Sequence, residues 1–175
     1  AMGFWAALDE VYPETRQQRC WMHKTMNVLN CLPKSLQPKA KQALHEIWQA
    51  DTREDAEKAF ELFIKTYEAK YPKAVLCLQK DREELMAFYD FPAQHWQSIR
   101  TSNPIESTFG TIRHRTKRSK GCLTRDGMLH MMFKLGLCAQ QNWRRQRGFE
   151  YLAQVITGVK FRDGIAVTES NQAAA

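Results

Sequence analysis

Apolar residues recur three or four positions apart through most of this chain, a spacing that predicts helices almost throughout. Phe4, Leu8 and Val11 mark a first helix that ends ahead of Pro13. The stretch RQQRCWM, residues 16–22, reads instead as the one core strand, and HKTMNVLNCLP, residues 23–33, returns to helical spacing. From Lys34 to Ser98 the helices have readable ends. Thr52 with Asp55 three residues on predicts an N-cap, and Ala56, Phe60, Phe63 and Tyr67 follow on one face. Pro72 and Pro92 punctuate this block. Ile105, Phe109 and Ile112 predict the buried stripe of a later helix. Met128, Met131, Met132, Leu135 and Cys138 predict that of another, in which adaptable thioethers fill a core and His130 is a polar interruption. The closing VTESNQAAA is small and polar and predicts a frayed tail. One strand cannot make a sheet, so the fold class is mainly α.

At 175 residues with 43% hydrophobic content, the chain is long enough to bury a core. Its net charge of +7 is unevenly placed. Residues 100–147 hold eleven Lys or Arg against Glu106 and Asp126, a local charge of +9 that exceeds the total. A concentration of this kind points to a polyanionic partner. The five cysteines, Cys20, Cys31, Cys77, Cys122 and Cys138, are odd in number and scattered, with no apolar signal segment ahead of them. That argues against a secreted disulfide framework and for the cytoplasm. Lys134 and Gln140 interrupt the richest apolar run, so no membrane span is expected. The opening AMGFWAALDEV looks like the middle of an amphipathic helix, which suggests a fragment.

The basic segment opens with RTSNPIESTFGTIRHRTKRSKG, residues 100–121. Asn103 suits an N-cap, Pro104 the first helical position and Glu106 the third, so NPIE can be a capping box and nothing more. The same periodicity sets Glu106, Gly110, Arg113 and Lys117 along one polar stripe. A carboxylate, a bare patch of backbone and then cations suit a phosphate backbone, provided that the acid holds a divalent metal, because an acid alone repels DNA. Arg100, Arg113, Arg115, Lys117, Arg118 and Lys120 are the candidate phosphate contacts, while His114 reads as part of the basic helix. In NWRRQR, at the end of the following helix, Trp143 beside Arg144, Arg145 and Arg147 suits stacking on a nucleobase, an arginine over the indole, or a solvated helix end. Arg144 and Arg145 join the DNA-binding candidates. Cys20 and His23 form half of a zinc-like pair whose other half is missing, with Cys31 and His45 only distant partners. In a strand, residues three apart also face opposite sides.

These residues carry a resemblance. RTSNPIESTFGTIRHRTKRSKGC resembles the segment that bears the last acid of the Asp-Asp-Glu set in Mutator-type transposases of bacterial insertion sequences, and QRCWMHKTMNVLNCLP is similar to the Cys-x-x-His region of that family. The likeness continues through KAKQALHEIWQADTREDAEKAF, KDREELMAFYDFP and NWRR, and so covers nearly the whole chain. It implies a ribonuclease-H-like α/β core with a helical insertion, few strands of which fall in this chain. It also implies a DNA transposase that cuts and joins insertion-sequence ends with two Mg²⁺ ions and acts at the bacterial nucleoid, as a homo-oligomer when full length. Glu106 matches the family's catalytic, metal-holding glutamate; Cys20 and His23 match a family signature. The family's second aspartate lies in an Asp-Gly pair just before the segment that corresponds to Ala1–Trp5, and its first lies further upstream. Neither falls within this chain, and Asp9 belongs to the helix beyond.

The resemblance therefore implies a C-terminal part of a transposase that is inactive alone. Its expected division is the end of the core at 1–33, a helical insertion at 34–98, a glutamate-bearing helical layer of the core at 99–165 and a flexible tail at 166–175. Two other readings of the residues stand beside it: a noncatalytic basic module that binds nucleic acid, and a helical protein-interaction domain using the acidic and aromatic block from Asp51 to Phe91.

Overall fold

The computed structural model describes residues 2–118, 120 and 124–167; Cys122 and most of the expected tail lie outside them. Ten α-helices run in order: α1 (Met2–Val11), α2 (Trp21–Leu29), α3 (Gln37–Gln49), α4 (Arg53–Tyr67), α5 (Pro72–Gln79), α6 (Arg82–Met86), α7 (Trp96–Ile99), α8 (Asn103–Arg118), α9 (Arg125–Gln140) and α10 (Leu152–Ile156). Short 3₁₀ turns at Ala87–Asp90, Ala93–His95 and Phe149–Tyr151 connect them. A two-stranded antiparallel hairpin, β1 (Phe161–Arg162) and β2 (Ile165–Ala166), closes the described chain.

The helices between Trp21 and Ile99 share one core. Thr52 caps α4 by accepting from the Asp55 backbone N–H at 3.1 Å. Ala56, Phe60, Phe63 and Tyr67 then face inward, as their spacing predicts. They meet Leu44 and Ile47 of α3, Val28 of α2, Val75 and Leu78 of α5, and Leu85, Met86 and Phe88 beyond. The polar tips of the buried aromatics find carbonyls: Trp21 Nε1 donates to Leu85 O at 2.8 Å, and the Tyr89 hydroxyl donates to Ala50 O at 2.9 Å. These bonds remove most of the penalty for burying a donor.

One charge goes inside with them. Lys24 is 4% exposed and pairs through Nζ with Asp81, also donating to Cys77 O at 2.8 Å. This ties α2 to the junction of α5 and α6. The Cys77 thiol is pushed up by burial, against the opposing pull of Lys24.

The strand expected at 16–22 is not formed. Residues 14–20 run without regular structure and α2 begins at Trp21. Arg19 N–H donates to Glu84 O and Trp21 N–H to Arg100 O, so the segment is held by isolated bonds to helix ends rather than by a neighbouring strand. The hairpin at 161–166, which helical periodicity passes over, is where pairing does occur. Asp163 and Gly164 hold φ of 49° and 82° at its turn, the conformation that Asp-Gly favours. Asp163 accepts from the Arg53 backbone N–H at 2.7 Å, and Ala93 N–H donates to Gly164 O at 3.2 Å. A side chain at Gly164 would press on Ala93 at 2.5 Å.

The expected buried stripes of α8 and α9 are largely open. Ile105 is 62% exposed and Phe109 53%, while Ile112 alone of that stripe is buried. Met128, Met132 and Cys138 are exposed, and Met131 and Leu135 half-buried. His130 therefore interrupts no core; its Nδ1 lies 2.8 Å from Asp126 O. The physical reason is geometric: α8 and α9 pack on each other, and each uses only one side to do so. Ile105, Phe109, Met132, Phe133, Leu137 and Trp143 are left lining an open apolar groove.

Candidate functional site

Two helix beginnings meet at the point where Glu106 lies. Trp21 is fully buried and anchors the start of α2, which leaves Cys20 at its N-cap and His23 in its first turn. Arg100 fixes the approach to α8. Its guanidinium stacks on Trp48 at 4.6 Å and donates to Trp48 O at 2.8 Å, while its own carbonyl accepts from Trp21 N–H. Burial pulls the Arg100 pKa down from its ordinary value, against the pull of Tyr89. Arg100, read from the sequence as a phosphate contact, is thus committed to a half-buried packing role between Trp48 and Phe88.

Ser102 immediately precedes α8, and its carbonyl accepts from Glu106 N–H at 2.9 Å, so it rather than Asn103 stands at the N-cap. Asn103 is the first helical residue, and Glu106 falls one position later than a capping box requires. The Glu106 carboxylate accepts from the Ser102 hydroxyl and lies 3.5 Å from His23 Nε2. The Ser102 oxygen also lies 3.3 Å from His23 Nδ1 and 3.3 Å from Cys20 Sγ, and Ser102 N–H donates to the same sulfur at 3.3 Å. Cys20 and His23 are therefore on one side of a helix start, not on opposite faces of a strand; Cys20 reaches the carboxylate through Ser102, and His23 both through Ser102 and directly. Ser102 is the site residue that sequence reasoning missed; it stands one position before the expected cap.

The electrostatics favour anions at this spot. Backbone N–H groups of Ser102 and His23, at the starts of α8 and α2, are directed at Cys20. Burial pushes the Cys20 thiol up, but hydrogen bonds from the Ser102 hydroxyl and backbone and from His23 outweigh it and hold the thiol below its ordinary value. Glu106 itself stays accessible, with its side chain 52% exposed. It offers one hard oxygen donor group suited to Mg²⁺. Among the described residues, no three His, Cys, Asp or Glu side chains are placed to hold a metal ion together. Glu106 by itself is a single carboxylate, fewer ligands than hold a divalent ion. Cys31 and His45, the distant zinc candidates, are engaged elsewhere, with Asn27 O and Trp48 respectively.

Beyond Glu106 the basic residues of α8 are exposed on two sides of Gly110. Arg113 and Lys117 continue the row of Glu106, by helical periodicity, while His114, Arg115 and Arg118 share a shallow concavity with Gly110 itself. An added Cβ at Gly110 would meet nothing within 4 Å, so its bare backbone opens onto free space. Lys120 is exposed with φ of 55° just beyond the helix. Arg144 and Arg145 lie past the end of α9, in irregular chain rather than in its last turn. Arg145 covers the Phe149 ring at 5.0 Å, and Trp143 is left 61% exposed beside the apolar groove. No helix among the described residues is long and apolar enough to cross a membrane.

The chain matches the family described as Transposase, Mutator family, over residues 1–145. It is 60% identical over 165 residues to the transposase for insertion sequence element IST2 of Acidithiobacillus ferrooxidans, covering 94% of this chain and 56% of that protein. It is 46% identical over 164 residues to the transposase for insertion sequence element IS6120 of Mycolicibacterium smegmatis, covering 94% of this chain and 51% of that protein. A more distant likeness, 32% over 116 residues, links 66% of the chain to 29% of the transposase for insertion sequence element IS905 of Lactococcus lactis. The chain thus spans about half the length of the first two of these relatives.

Proposed function

This chain belongs to the Mutator family of transposases, and from that premise we propose that it is the glutamate-bearing part of an enzyme that cuts and joins the DNA ends of an insertion sequence. The observation that carries the reading is the placement of Glu106: an accessible carboxylate at a helix start, held by Ser102, with exposed cations along the same helix. Within it Glu106 supplies one oxygen ligand to Mg²⁺, and two aspartates from chain upstream of residue 1 supply the rest. When bound, such ions stabilise charge on the phosphoryl oxygens and activate the attacking hydroxyl. Arg113, Arg115, Lys117 and Arg118 hold flanking phosphates and so keep DNA along α8. Lys120, Arg144 and Arg145 extend that contact, with the exposed Trp143 available for a base.

The open groove of α8 and α9 supports the same reading. Ile105, Phe109, Met132, Phe133 and Leu137 present more apolar surface than a solvated hairpin needs. In this proposal they pack against a ribonuclease-H-like sheet contributed by the upstream half, and the assembled protein acts on DNA as a homo-oligomer.

The test is Glu106→Gln in a chain extended upstream to the relatives' length, assayed for cleavage of labelled element ends with Mg²⁺. The amide oxygen still accepts from Ser102, so folding is expected to persist, while the charge that holds metal is gone and cleavage falls to background. Cleavage at the parental rate would remove Glu106 from the chemistry and leave a DNA-binding module. The 175-residue chain alone is expected not to cleave, because one carboxylate leaves Mg²⁺ largely hydrated.

A further inference from the structure

We propose that Ser102 is the positioning residue of Glu106, with Cys20 and His23 holding Ser102 in turn; this rests on the reading of Glu106 given above. A serine hydroxyl has one proton and two lone pairs. Three groups surround it: Glu106 Oε1 in a short contact, Cys20 Sγ at 3.3 Å and His23 Nδ1 at 3.3 Å. The single proton goes to the nearest and most strongly charged of them, the carboxylate. An Nδ1–H on His23 then donates into one of the lone pairs. Ser102 backbone N–H donates separately to Cys20 Sγ, so the sulfur fixes the residue whatever its hydroxyl does. The carbonyl of Ser102 meanwhile accepts from Glu106 N–H at 2.9 Å, so the serine grips Glu106 by backbone and side chain together.

An N-cap serine ordinarily turns its hydroxyl toward a backbone N–H one turn into its helix. Here the hydroxyl turns to a side chain, and an exposed glutamate that would otherwise sample several rotamers is directed one way. A carboxylate on a half-exposed glutamate has three side-chain torsions to restrain. The Cys-x-x-His pair gains a specific task by this account without needing a metal of its own: Cys20 acts on Glu106 through Ser102, and His23 through Ser102 and by its own contact with the carboxylate at 3.5 Å.

The direct measurement is the set of three-bond couplings about χ1 of Glu106, read by NMR in this chain. Single-rotamer values are expected for the parent, averaged values for Ser102→Ala, and single-rotamer values again for Ser102→Thr, which keeps the hydroxyl. Because Ser102 also heads α8, Cys20→Ala serves as a second variant outside that helix: its sulfur holds Ser102 at 3.3 Å, and its loss is expected to loosen Glu106 in the same direction. Averaged couplings in the parent, or unchanged couplings in both Ser102→Ala and Cys20→Ala, would overturn the proposal. In the extended chain, Ser102→Ala is expected to slow cleavage about tenfold or more, the usual cost of removing a partner that orients a ligand, with Ser102→Thr restoring most of it. Full activity of Ser102→Ala beside an inactive Glu106→Gln would sink the role of Ser102 alone. An active Glu106→Gln would instead sink the reading on which it rests.

Discussion

Phe60 and Phe109 are the same side chain on the apolar stripes of two amphipathic helices, and they end in opposite environments. Phe60 in α4 is fully buried, with Arg82 stacked 4.7 Å over its ring; Phe109 in α8 is 53% exposed. Between Trp21 and Ile99 every apolar stripe finds another to face. In the hairpin, α8 and α9 pack mainly on each other, and a helix pair cannot bury more than one side of each. Periodicity states which face is apolar. It does not state whether the chain contains what covers that face.

The largest effect that tests this contrast is truncation at the two phenylalanines. Phe60→Ala is expected to cost about 3–5 kcal/mol in urea denaturation, as a cavity in a closed core does. Phe109→Ala in the same chain is expected to stay within about 0.5 kcal/mol, typical of an exposed position. A comparable loss at both would break the contrast and make the hairpin part of the cooperative core. In the extended chain the cost at Phe109 is expected to rise toward that at Phe60, which would sharpen it.

Removing one partner of the buried pair comes next. Asp81→Asn leaves Lys24 charged, 4% exposed and facing an amide, and is expected to destabilise by about 3 kcal/mol. Adding Lys24→Met to it is expected to recover most of that loss, since an apolar replacement needs no counter-charge. A double variant no better than Asp81→Asn would assign the cost to lost bonds of Asp81 with other groups, among them Arg19 at 3.7 Å.

The smallest effect on folding, and the most specific to the hairpin, is on the basic residues of α8. Changing Arg113, Arg115, Lys117 and Arg118 together to Ala is expected to leave the denaturation midpoint nearly unmoved. It should weaken duplex DNA binding and lower the slope of log affinity against log salt by up to about 3.6. Unchanged binding at low salt would move the DNA contact off this helix.

Several parts of this architecture were legible one residue at a time. The Thr52 cap and the inward face of α4 follow from spacing and hydroxyl chemistry within a single helix, so nothing distant intervened. The hairpin at Asp163 and Gly164 was missed: its Asp-Gly turn is a signal, but the flanking strands are only two residues each, and the sequence reading places the segment in a helical layer. RQQRCWM misled because an aromatic residue and a short polar-apolar alternation look alike in a strand and at a helix start. The core decided between them by burying Trp21 and bonding its indole to Leu85.

The candidate site divides along the same line. Sequence alone determined that Glu106 heads a helix, that the net positive charge gathers behind it, and that Cys20 and His23 stand three residues apart, because composition and helical period are local properties. Only the tertiary structure decided that Cys20, His23, Ser102 and Glu106 are one cluster, since the two pairs are about 80 residues apart in the chain and meet through Trp21 and Arg100. It also decided that Arg100 packs half-buried on Trp48: a guanidinium goes where an indole face and a carbonyl await it, and their arrival beside Arg100 depends on how α3 packs.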